Sequence, residues 1–345
     1  MFEGGGWAET GRKRLSLDRI KEASRVIAPV FAGSPQYELE PLNDEIGLRL
    51  VCKVETVNPI RSFKGRGTDY FLYRVRGERS GRLVCASAGN FGQGLAYAAR
   101  KRGIPLTVFA AKTANPVKVE RMRRFGAEVR LEGEDFDEAK AAARVLAESE
   151  GWRFVEDGRE VEIAEGAGSI ALELCRWPEP LDAVLAPLGN GALLSGVGTW
   201  MKAHAPSTEV IGVCAEGAPA MALSLREGVR KTTEKVNTIA DGIAVRVPVE
   251  EALSDLVGVV DDVLLVDDET IVRAMRLLFW RMGLVVEPAG AAAGVAALLA
   301  YRERFAGALV ATPLCGSNLT VQQARRWLLE EASDGEEKND RLQGG

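Results

Sequence analysis

Short apolar segments alternate with helical patterns along most of this chain, and glycine-rich turns join many of them. The apolar segments lie near residues 82–86, 105–110, 127–131, 182–187, 209–215, 259–266 and 308–312. The helical patterns lie near residues 91–102, 116–125, 135–149, 268–282, 289–304 and 317–331. A repeated strand–turn–helix order builds parallel sheets covered by helices, so the pattern predicts an α/β fold. In such folds, ligands bind beyond the carboxyl ends of the strands.

The chain length favours two domains. At 345 residues, the chain exceeds the size at which a single hydrophobic core usually stops growing, about 250–300 residues. No linker divides the chain into two sequential parts, which favours the insertion of one domain within the other. The polar residues 333–345 are expected to form a disordered tail.

Composition narrows the set of partners. The formal net charge of −5 argues against nucleic acid or an anionic membrane as the main partner. No segment approaches the roughly 18 consecutive apolar residues of a membrane-spanning helix. The first residues lack the apolar core of a signal peptide. We therefore expect a cytoplasmic protein with no nucleic-acid partner and no membrane partner.

Histidine and cysteine usage excludes several kinds of catalysis. The single histidine, His204, lies near a predicted helix end, where a surface or helix-terminal position is expected. Ser-His-Asp and Cys-His catalysis are thereby excluded, and a histidine-based metal site is not expected. The five cysteines form no C-x-x-C pair, which argues against a zinc site or a disulfide framework. Acid–base chemistry must then come from lysine, carboxylate, tyrosine or cysteine side chains.

A lysine lies between an aromatic residue and a glycine in the segment NPIRSFKGRG at 58–67. Lys64 is a candidate nucleophile, because a lysine amine attacks aldehydes once desolvation or a nearby cation lowers its pKa. Arg61 and Arg66 are the candidates for such cations. The alternative is a surface lysine whose side chain extends to solvent.

Two glycine-rich turns each follow an apolar segment and open a helical pattern. SAGNFGQG at 87–94 would place free backbone N–H groups at a helix start, which suits a carboxylate. The alternative there is an ordinary turn that Asn90 caps. PLGNGAL at 187–193 would cradle a phosphate with its backbone. Because residue 194 is leucine and no Walker lysine is present, a phosphate monoester fits better than a dinucleotide.

A fourth segment, TPLCGSN at 312–318, also runs from an apolar segment into a helical pattern. The thiol of Cys315 in this turn can hydrogen-bond a ring nitrogen without requiring that nitrogen to be cationic. The four segments together offer a lysine, a carboxylate site, a phosphate site and a neutral partner for a ring nitrogen.

In order and spacing, these motifs resemble those of the fold type II pyridoxal-phosphate (PLP) enzymes, in the serine/threonine ammonia-lyase (threonine dehydratase) and serine racemase branch. The similar segments are SFKGRG, SAGNFGQG with AYAARKRGI, NTIADGIAV and EPAGAAAGVAAL, and the resemblance runs from about residue 17 to 330. It implies a tryptophan synthase β-like fold, with two parallel-type twisted sheets flanked by helices. A small domain at 79–162 would be inserted into a large PLP-binding domain at 1–78 and 163–332. The resemblance also implies pyridoxal 5'-phosphate as cofactor, a small amino acid as substrate and a homodimer.

The resemblance implies a role for each matching residue. Lys64 would hold the cofactor as an imine and would also be the base that removes the α-proton. The cofactor-binding residues would be Phe63, Lys64, Asn90, Gly189, Asn190, Gly191, Ala192, Leu193 and Cys315. The substrate-binding residues would be Ser87, Ala88, Gly89, Asn90, Phe91 and Gly242, and the loops at Asp241–Ile243 and Glu287-Pro288 would close the pocket.

Several positions depart from the family pattern. Ala88 stands where serine racemases have a second hydroxyl, so racemisation should be weak. Phe91 stands where many dehydratases have histidine, so the substrate preference can differ from theirs and can include a larger or more apolar side chain. Glu216 and Ala220 match the family's cation site, but Ala222 stands at its aspartate place, so no metal is expected.

The expected function is PLP-dependent α,β-elimination of a threonine- or serine-like β-hydroxy amino acid, which gives ammonia and a 2-oxo acid. The alternatives are β-replacement, a threonine-synthase-like reaction, or dehydration of a bulkier 3-hydroxy amino acid. A non-catalytic nucleotide- or effector-binding module is a remote alternative. Lys64 argues against it, because binding alone needs no lysine between Phe63 and Gly65.

Overall fold

The computed structural model describes residues 14–77 and 81–330, and within them ten strands form two sheets. The large sheet contains β1 (Gln36–Glu38), β2 (Arg49–Val54), β7 (Ala183–Pro187), β8 (Glu209–Ala215), β9 (Asp262–Val266) and β10 (Leu309–Leu314). The small sheet contains β3 (Leu83–Ala86), β4 (Leu106–Ala110), β5 (Glu128–Leu131) and β6 (Arg153–Val155). The tail predicted at 333–345 lies outside the described residues.

Parallel pairing dominates both sheets. The large sheet has the order β1-β2-β10-β7-β8-β9, and only its edge strand β1 pairs antiparallel, with β2. The small sheet has the order β5-β4-β3-β6, and all of its pairs are parallel. The predicted α/β class with two parallel-type sheets is therefore confirmed.

Helices connect and cover the strands. They are α1 (Leu17–Val26), α2 (Glu40–Ile46), α3 (Lys64–Arg74), α4 (Asn90–Arg102), α5 (Pro116–Arg124), α6 (Phe136–Glu150), α7 (Val161–Leu174), α8 (Ala192–His204), α9 (Ala220–Glu227), α10 (Glu250–Leu256), α11 (Asp268–Met282), α12 (Pro288–Ala291), α13 (Ala297–Ala300) and α14 (Val321–Ala324). Short 3₁₀ segments lie at Asp241–Ile243 and Arg302–Phe305, and π-helical turns lie at Ala292–Ala296 and Arg325–Leu329.

The segment that forms the small sheet is inserted, along the chain, between strands of the large sheet. All of its strands come between β2 and β7 in the chain, which leaves the large sheet through α3 and returns through α7. These two helices touch backbone to backbone, because a Cβ on Gly166 would lie 2.7 Å from the carbonyl oxygen of Arg66 and 2.7 Å from the Cα of Gly67. The predicted insertion is thus observed, and the exact boundaries 78/79 and 162/163 stay a prediction.

The large sheet is buried on both faces. Val184 and Leu185 are neighbours in β7, are fully buried and belong to different hydrophobic clusters. Successive side chains of a strand point to opposite faces, so both faces need a helical cover. Side chains of α2, α11, α12 and α13 pack in one cluster, and side chains of α1, α7 and α8 pack in the other.

Two predicted helices differ from the structure. The helix predicted at 289–304 is interrupted by the π-helical turn Ala292–Ala296, where Gly294 lies against β10 so closely that a Cβ would be 2.2 Å from Thr312 Cγ2. The helix predicted at 317–331 begins only at Val321, after a capping box between Thr320 and Gln323. Residues 317–320 are not helical, and Asn318 within them hydrogen-bonds groups of three other segments.

Apolar runs did not reveal every element. β1, β2 and β6 were not among the predicted strands, and neither was the buried helix α7 among the predicted helices. β2 contains Arg49 and Lys53, two charged residues that obscure its apolar pattern. Within the described residues, no helix is both long enough and apolar enough to cross a membrane.

Candidate active site

The four motifs meet where strands of both sheets end. Ser62 forms an isolated bridge with Gly316, and the N–H of Phe63 donates to the carbonyl of Cys315 at 3.0 Å. These contacts join the lysine segment, which follows β2, to the turn after β10. β2 and β10 are neighbours in the large sheet. Such a meeting point at carboxyl strand ends is the usual ligand position in parallel sheets.

Lys64 is the first residue of α3 and contacts a carboxylate from the small sheet. Its Nζ lies 2.6 Å from Oδ2 of Asp157 and 4.9 Å from the centre of the Phe63 ring. The two charged side chains are 15% and 12% exposed. The alternative of a surface lysine is therefore wrong.

Asp157 is a site residue that sequence reasoning missed. It follows β6 by two residues, and its Oδ1 is buried without a hydrogen-bond partner in the described part of the chain. A buried acceptor without a partner is costly, so this atom is available to a ligand. The sequence signal was a carboxylate before Gly158 at a strand end, and it was hidden because β6 itself was not recognised.

Arg66 does not face Lys64. Its guanidinium is 1% exposed and pairs with Glu55 and Glu173, each at 2.8 Å, and Lys53 pairs with the same Glu173 at 2.5 Å. Burial alone would raise the pKa of Glu173, but the hydrogen bonds and charges of Arg66 and Lys53 lower it to about 2. The expectation that Arg66 supplies a free cation to Lys64 is therefore wrong, since its charge is already paired.

The turn before α4 presents free N–H groups. The hydroxyl of Ser87 accepts from the N–H groups of Gly89 and Gly92 at 3.1 and 3.0 Å, which holds the turn in place. Asn90 and Phe91 open α4, and among the described residues their N–H groups have no acceptor. Two free donors at a helix N-terminus suit a carboxylate. Ala88, partly exposed, lies in this turn.

The side chain of Phe91 lies in the hydrophobic core, whereas a residue that sets substrate specificity is expected to face the substrate pocket. Its side chain is only 5% exposed and packs in the hydrophobic cluster of the small sheet with Leu95, Val119 and Met122. Its backbone N–H belongs to the turn, whereas its ring belongs to the core. The ring therefore gives no support to an enlarged apolar pocket.

The side chain of Asn90 joins the two sheets. Its Nδ2 donates to Oε1 of Glu287 at 2.5 Å, and its Oδ1 accepts from Nδ2 of Asn318 at 2.7 Å. Lys118 of α5 pairs with Asp241 at 2.5 Å and so adds a second contact across the same cleft. Burial raises the pKa of Glu287, and the charge of Lys118 opposes that rise. Lys118 was not predicted as a site residue, and Asn318 was given no role although it ends the motif at 312–318. The partners of both residues are distant in sequence.

The turn before α8 has the form of an anion cradle. Gly191 is its N-cap with a φ of 89°, a conformation that glycine adopts without strain. Among the described residues, the N–H groups of Ala192 and Leu193 have no acceptor, while both side chains are buried in the core. These donors fit a phosphate.

Two other loops enclose this turn. A Cβ on Gly189 would lie 2.7 Å from the carbonyl oxygen of Gly242, and a Cβ on Gly158 would lie 2.6 Å from that of Asn190. Gly242 therefore lies against the turn before α8. Gly158, next to Asp157, brings the turn before α8 close to Lys64.

Cys315 is buried, and its thiol donates to the carbonyl of Pro313 at 3.2 Å. Burial, followed by the negative charges of Glu55 and Glu287, raises its pKa well above the ordinary thiol value. The group is a neutral thiol at physiological pH, as expected for a partner of an uncharged ring nitrogen.

Arg61 has an unusual backbone. Its φ is 52°, and no other non-glycine residue in the described ranges has a positive φ. Such a conformation costs an L-residue about 1–2 kcal/mol. Its carbonyl accepts from the N–H of Ser317 at 3.0 Å, while its exposed side chain has no ion pair or hydrogen bond within the described residues.

The single histidine lies at the end of a helix. His204 is the last residue of α8 and stacks on Trp200 with ring centres 3.9 Å apart, which confirms its helix-terminal position. In residues 14–77 and 81–330, no three histidine, cysteine, aspartate or glutamate side chains are close enough to hold one metal ion. The absence of a metal stays a prediction.

Comparisons with known proteins agree with this geometry. The family model described as "Pyridoxal-phosphate dependent enzyme" matches residues 27–316. The chain is 36% identical to the L-threonine ammonia-lyase of Thermotoga maritima over 313 residues, which are 90% of this chain and 78% of the relative. It is 31% identical to a biosynthetic L-threonine dehydratase of Lactococcus lactis over 318 residues, 90% of this chain and 76% of the relative.

Solved structures show the same relationship. The processed form of threonine deaminase isoform 2 from Solanum lycopersicum has a TM-score of 0.82 at 30% identity, with 90% of this chain and 88% of that chain covered. Maize serine racemase has a TM-score of 0.84 at 27% identity, with 90% and 96% covered. A lysine beside two free helix N-termini and a buried neutral thiol fits an aldehyde cofactor that carries a phosphate and a ring nitrogen. The chain therefore belongs to the family of pyridoxal-phosphate-dependent enzymes, with pyridoxal 5'-phosphate as its cofactor.

Proposed function

We propose that this protein is an ammonia-lyase that acts on a β-hydroxy amino acid of the threonine or serine type and releases ammonia and a 2-oxo acid. The observation that carries the proposal is the Nζ of Lys64, held 2.6 Å from Asp157 at a cleft where α4 and α8 both begin with free N–H groups. Similarity to the L-threonine ammonia-lyase of Thermotoga maritima supports elimination as the reaction.

The residues around Lys64 divide the binding of cofactor and substrate between them. Bound PLP supplies an electron sink that stabilises negative charge on the substrate Cα. The N–H groups at the start of α8 would hold its phosphate, and the thiol of Cys315 would hydrogen-bond its ring nitrogen. The N–H groups at the start of α4 would bind the substrate carboxylate. Phe63 would lie against the cofactor ring, and Asn90 would contact the ring hydroxyl.

Lys64 moves the α-proton in this proposal. Its amine accepts the proton from Cα, and Oδ2 of Asp157 accepts a hydrogen bond from the ammonium that results. A carboxylate this close holds the charged nitrogen in one position, which favours proton transfer from the same carbon in every turnover. Ala88 offers no proton on the carboxylate-binding turn, so racemisation should be much slower than elimination.

Assembly and location complete the proposal. We infer a homodimer, which the resemblance to the ammonia-lyase and racemase branch supports, and light scattering on the purified protein tests it. We also infer a cytoplasmic location, which the composition supports, and cell fractionation tests it.

The decisive experiment is a substrate panel. Purified protein supplied with PLP is incubated with L-threonine, L-serine and other β-hydroxy amino acids, and with L-alanine, which has no leaving group. We expect ammonia and the matching 2-oxo acid from β-hydroxy amino acids and neither product from alanine. If no β-hydroxy amino acid gives products while the bound cofactor keeps its visible absorbance, elimination is the wrong reaction and the cofactor assignment stands.

A further inference from the structure

Two arginines beside the carboxylate-binding turn have no carboxylate within ion-pair distance in the described part of the chain. Arg61 lies in the loop before Lys64, and Arg121 lies in α5 of the small sheet. Neither forms an ion pair with any residue in the described ranges. Burial, followed by the neighbouring charges of Arg61 and Arg124, lowers the pKa of Arg121. The negative charge of Glu287 opposes this lowering.

Both arginines flank the same short segment. The carbonyl of Arg61 accepts from the N–H of Ser317, and Nη1 of Arg121 donates to Oδ1 of Asn318. Nδ2 of Asn318 then donates to Oδ1 of Asn90, the first residue of α4. Arg121 is therefore two hydrogen bonds away from the helix start that carries the free N–H groups.

The acidic groups around this cleft are already engaged. Asp241 pairs with Lys118 at 2.5 Å, and Asp157 pairs with Lys64 at 2.6 Å. Glu287 is 3% exposed and accepts hydrogen bonds from the side chain of Asn90 and the N–H of Asn318. The two arginines bring two positive charges and Glu287 one negative charge. One positive charge therefore remains, in addition to the N–H groups at the start of α4 that suit the α-carboxylate.

The backbone conformation of Arg61 also supports an anion-binding role. Its φ of 52° is a conformation that glycine adopts without strain and that arginine does not. Strained residues cluster at ligand-binding positions, where the side chain has a role that the backbone cost opposes. An arginine held in this conformation beside Lys64 suits the binding of an anion.

We propose that Arg61 and Arg121 bind a second carboxylate of the substrate, so that the preferred substrate is a β-hydroxy dicarboxylic amino acid of the 3-hydroxyaspartate type. This inference rests on the proposed function and specifies its substrate class. The Cα–H and Cβ–O bonds break and water leaves; hydrolysis of the resulting enamine takes up water again and gives ammonia and oxaloacetate. Arginine suits this role because its planar guanidinium pairs with a carboxylate through two parallel hydrogen bonds.

Kinetics on matched substrates tests the inference. The values of kcat/KM are measured for 3-hydroxyaspartate, L-threonine and L-serine on the wild-type protein loaded with PLP. We expect 3-hydroxyaspartate to exceed both of the others at least about tenfold, a difference typical of one added charged hydrogen-bonded contact. A binding test without turnover compares L-aspartate with L-2-aminobutyrate, both of which lack a leaving group. L-Aspartate should perturb the cofactor absorbance at the lower concentration.

Three variants separate the two arginines from general effects. Arg121→Met and Arg61→Gly should each reduce the ratio of kcat/KM for 3-hydroxyaspartate over threonine by about tenfold or more. Arg61→Gly suits the backbone and should fold even if Arg121→Met does not. Arg124→Met is the matched control, because Arg124 is on the same helix, is 76% exposed and pairs with Glu120. It should leave the ratio unchanged.

The outcomes distinguish this inference from the proposed function. If threonine or serine is the better wild-type substrate, or if Arg61→Gly and Arg121→Met both leave the ratio unchanged, the second-carboxylate site is overturned and elimination stands. If none of the β-hydroxy amino acids gives ammonia, the proposed function itself fails. The preference of L-aspartate over L-2-aminobutyrate in the binding test is then the remaining measure of the arginine pair.

Discussion

Two lysines of this protein, the buried Lys53 and the partly buried Lys64, are held in opposite ways. Lys53 is 1% exposed, pairs with Glu173 at 2.5 Å and donates to the carbonyl of Ser34 at 2.6 Å, in a cluster that Arg66 completes. Lys64 is 15% exposed. Within residues 14–77 and 81–330, its one carboxylate partner is Asp157, whose second oxygen is buried without a hydrogen bond. The first lysine is part of a closed network that stabilises the fold. The second is held in place but left able to exchange its partner.

Replacement of Lys64 should have the largest effect on activity. Lys64→Ala should lower kcat by at least about a thousandfold and should remove the absorbance of the lysine-bound cofactor, because one amine is both nucleophile and base. Ammonia release and the visible spectrum measure the two effects. Lys112→Ala is the control, since Lys112 is 59% exposed and pairs with Glu134 at the surface. Activity of Lys64→Ala within tenfold of wild type would contradict the assignment.

Removal of Arg66 from its cluster with Lys53, Glu55 and Glu173 should have the largest effect on stability. Arg66→Met should lower the free energy of unfolding by about 3–5 kcal/mol, because it leaves Glu55 and Glu173 buried without their main counter-charge. Urea unfolding followed by circular dichroism measures the loss. A change below about 1 kcal/mol would show that the cluster is not as closed as its geometry indicates.

The same cluster should set part of the acid response. The pKa of Glu173 is about 2 in the folded protein, against about 4.3 in an unfolded chain. Because the folded pKa is the lower one, the contribution is fully present above the unfolded pKa and is lost as pH falls towards 2. Its size is about 3 kcal/mol. Urea unfolding of wild type and Arg66→Met between pH 6 and pH 3 should show the difference between them shrink with acid; a constant difference would contradict the linkage.

Replacement of the partner of Lys64 should show whether that partner positions the lysine for catalysis or stabilises the fold. Asp157→Asn should lower kcat/KM by about tenfold to a hundredfold, since the ammonium of Lys64 loses its counter-charge. It should change the free energy of unfolding by about 1 kcal/mol or less, because asparagine keeps the shape of aspartate and an oxygen that can accept the hydrogen bond from Lys64. Steady-state kinetics and urea unfolding on the same samples measure both. A large loss of stability with unchanged kinetics would place Asp157 among the structural residues.

The smallest effect is expected at the strained arginine. Arg61→Gly should leave the free energy of unfolding unchanged or raise it by up to about 1 kcal/mol, because glycine adopts the φ of 52° without strain. Thermal and urea unfolding measure it. A loss of more than about 1 kcal/mol would mean that the Arg61 side chain stabilises the fold through contacts.

The sequence was sufficient to locate the motifs but not their charged partners. The glycine-rich turns at 87–94 and 187–193 were recognised because strand, turn and helix succeed one another locally. Asp157 and Asn318 could not be found in this way, since each acts on residues more than 90 positions away. Arg66 was misread for the same reason, because its partner Glu173 lies on a helix that the sequence pattern did not reveal.

Local composition also set limits on the helix predictions. The alanine- and glycine-rich segment at 289–304 has a helical pattern, yet Gly294 must pass close to Thr312 and the segment forms a π-helical turn there. Such a turn depends on the neighbouring strand rather than on the segment's own residues. The same holds for residues 317–320, which are not helical and where Asn318 hydrogen-bonds partners on other elements.

The insertion of one sheet into the other has a consequence for how such a protein can diverge. The phosphate cradle and Cys315 belong to the large sheet, whereas the carboxylate-binding turn, Arg121 and Asp157 are encoded by one continuous stretch between β2 and β7. Most of the groups proposed to meet the substrate can therefore change together, by mutation or recombination within that single stretch, while the phosphate cradle and Cys315 keep their sequence. The close glycine contact between α3 and α7, where the stretch begins and ends, is the part that such exchange must preserve.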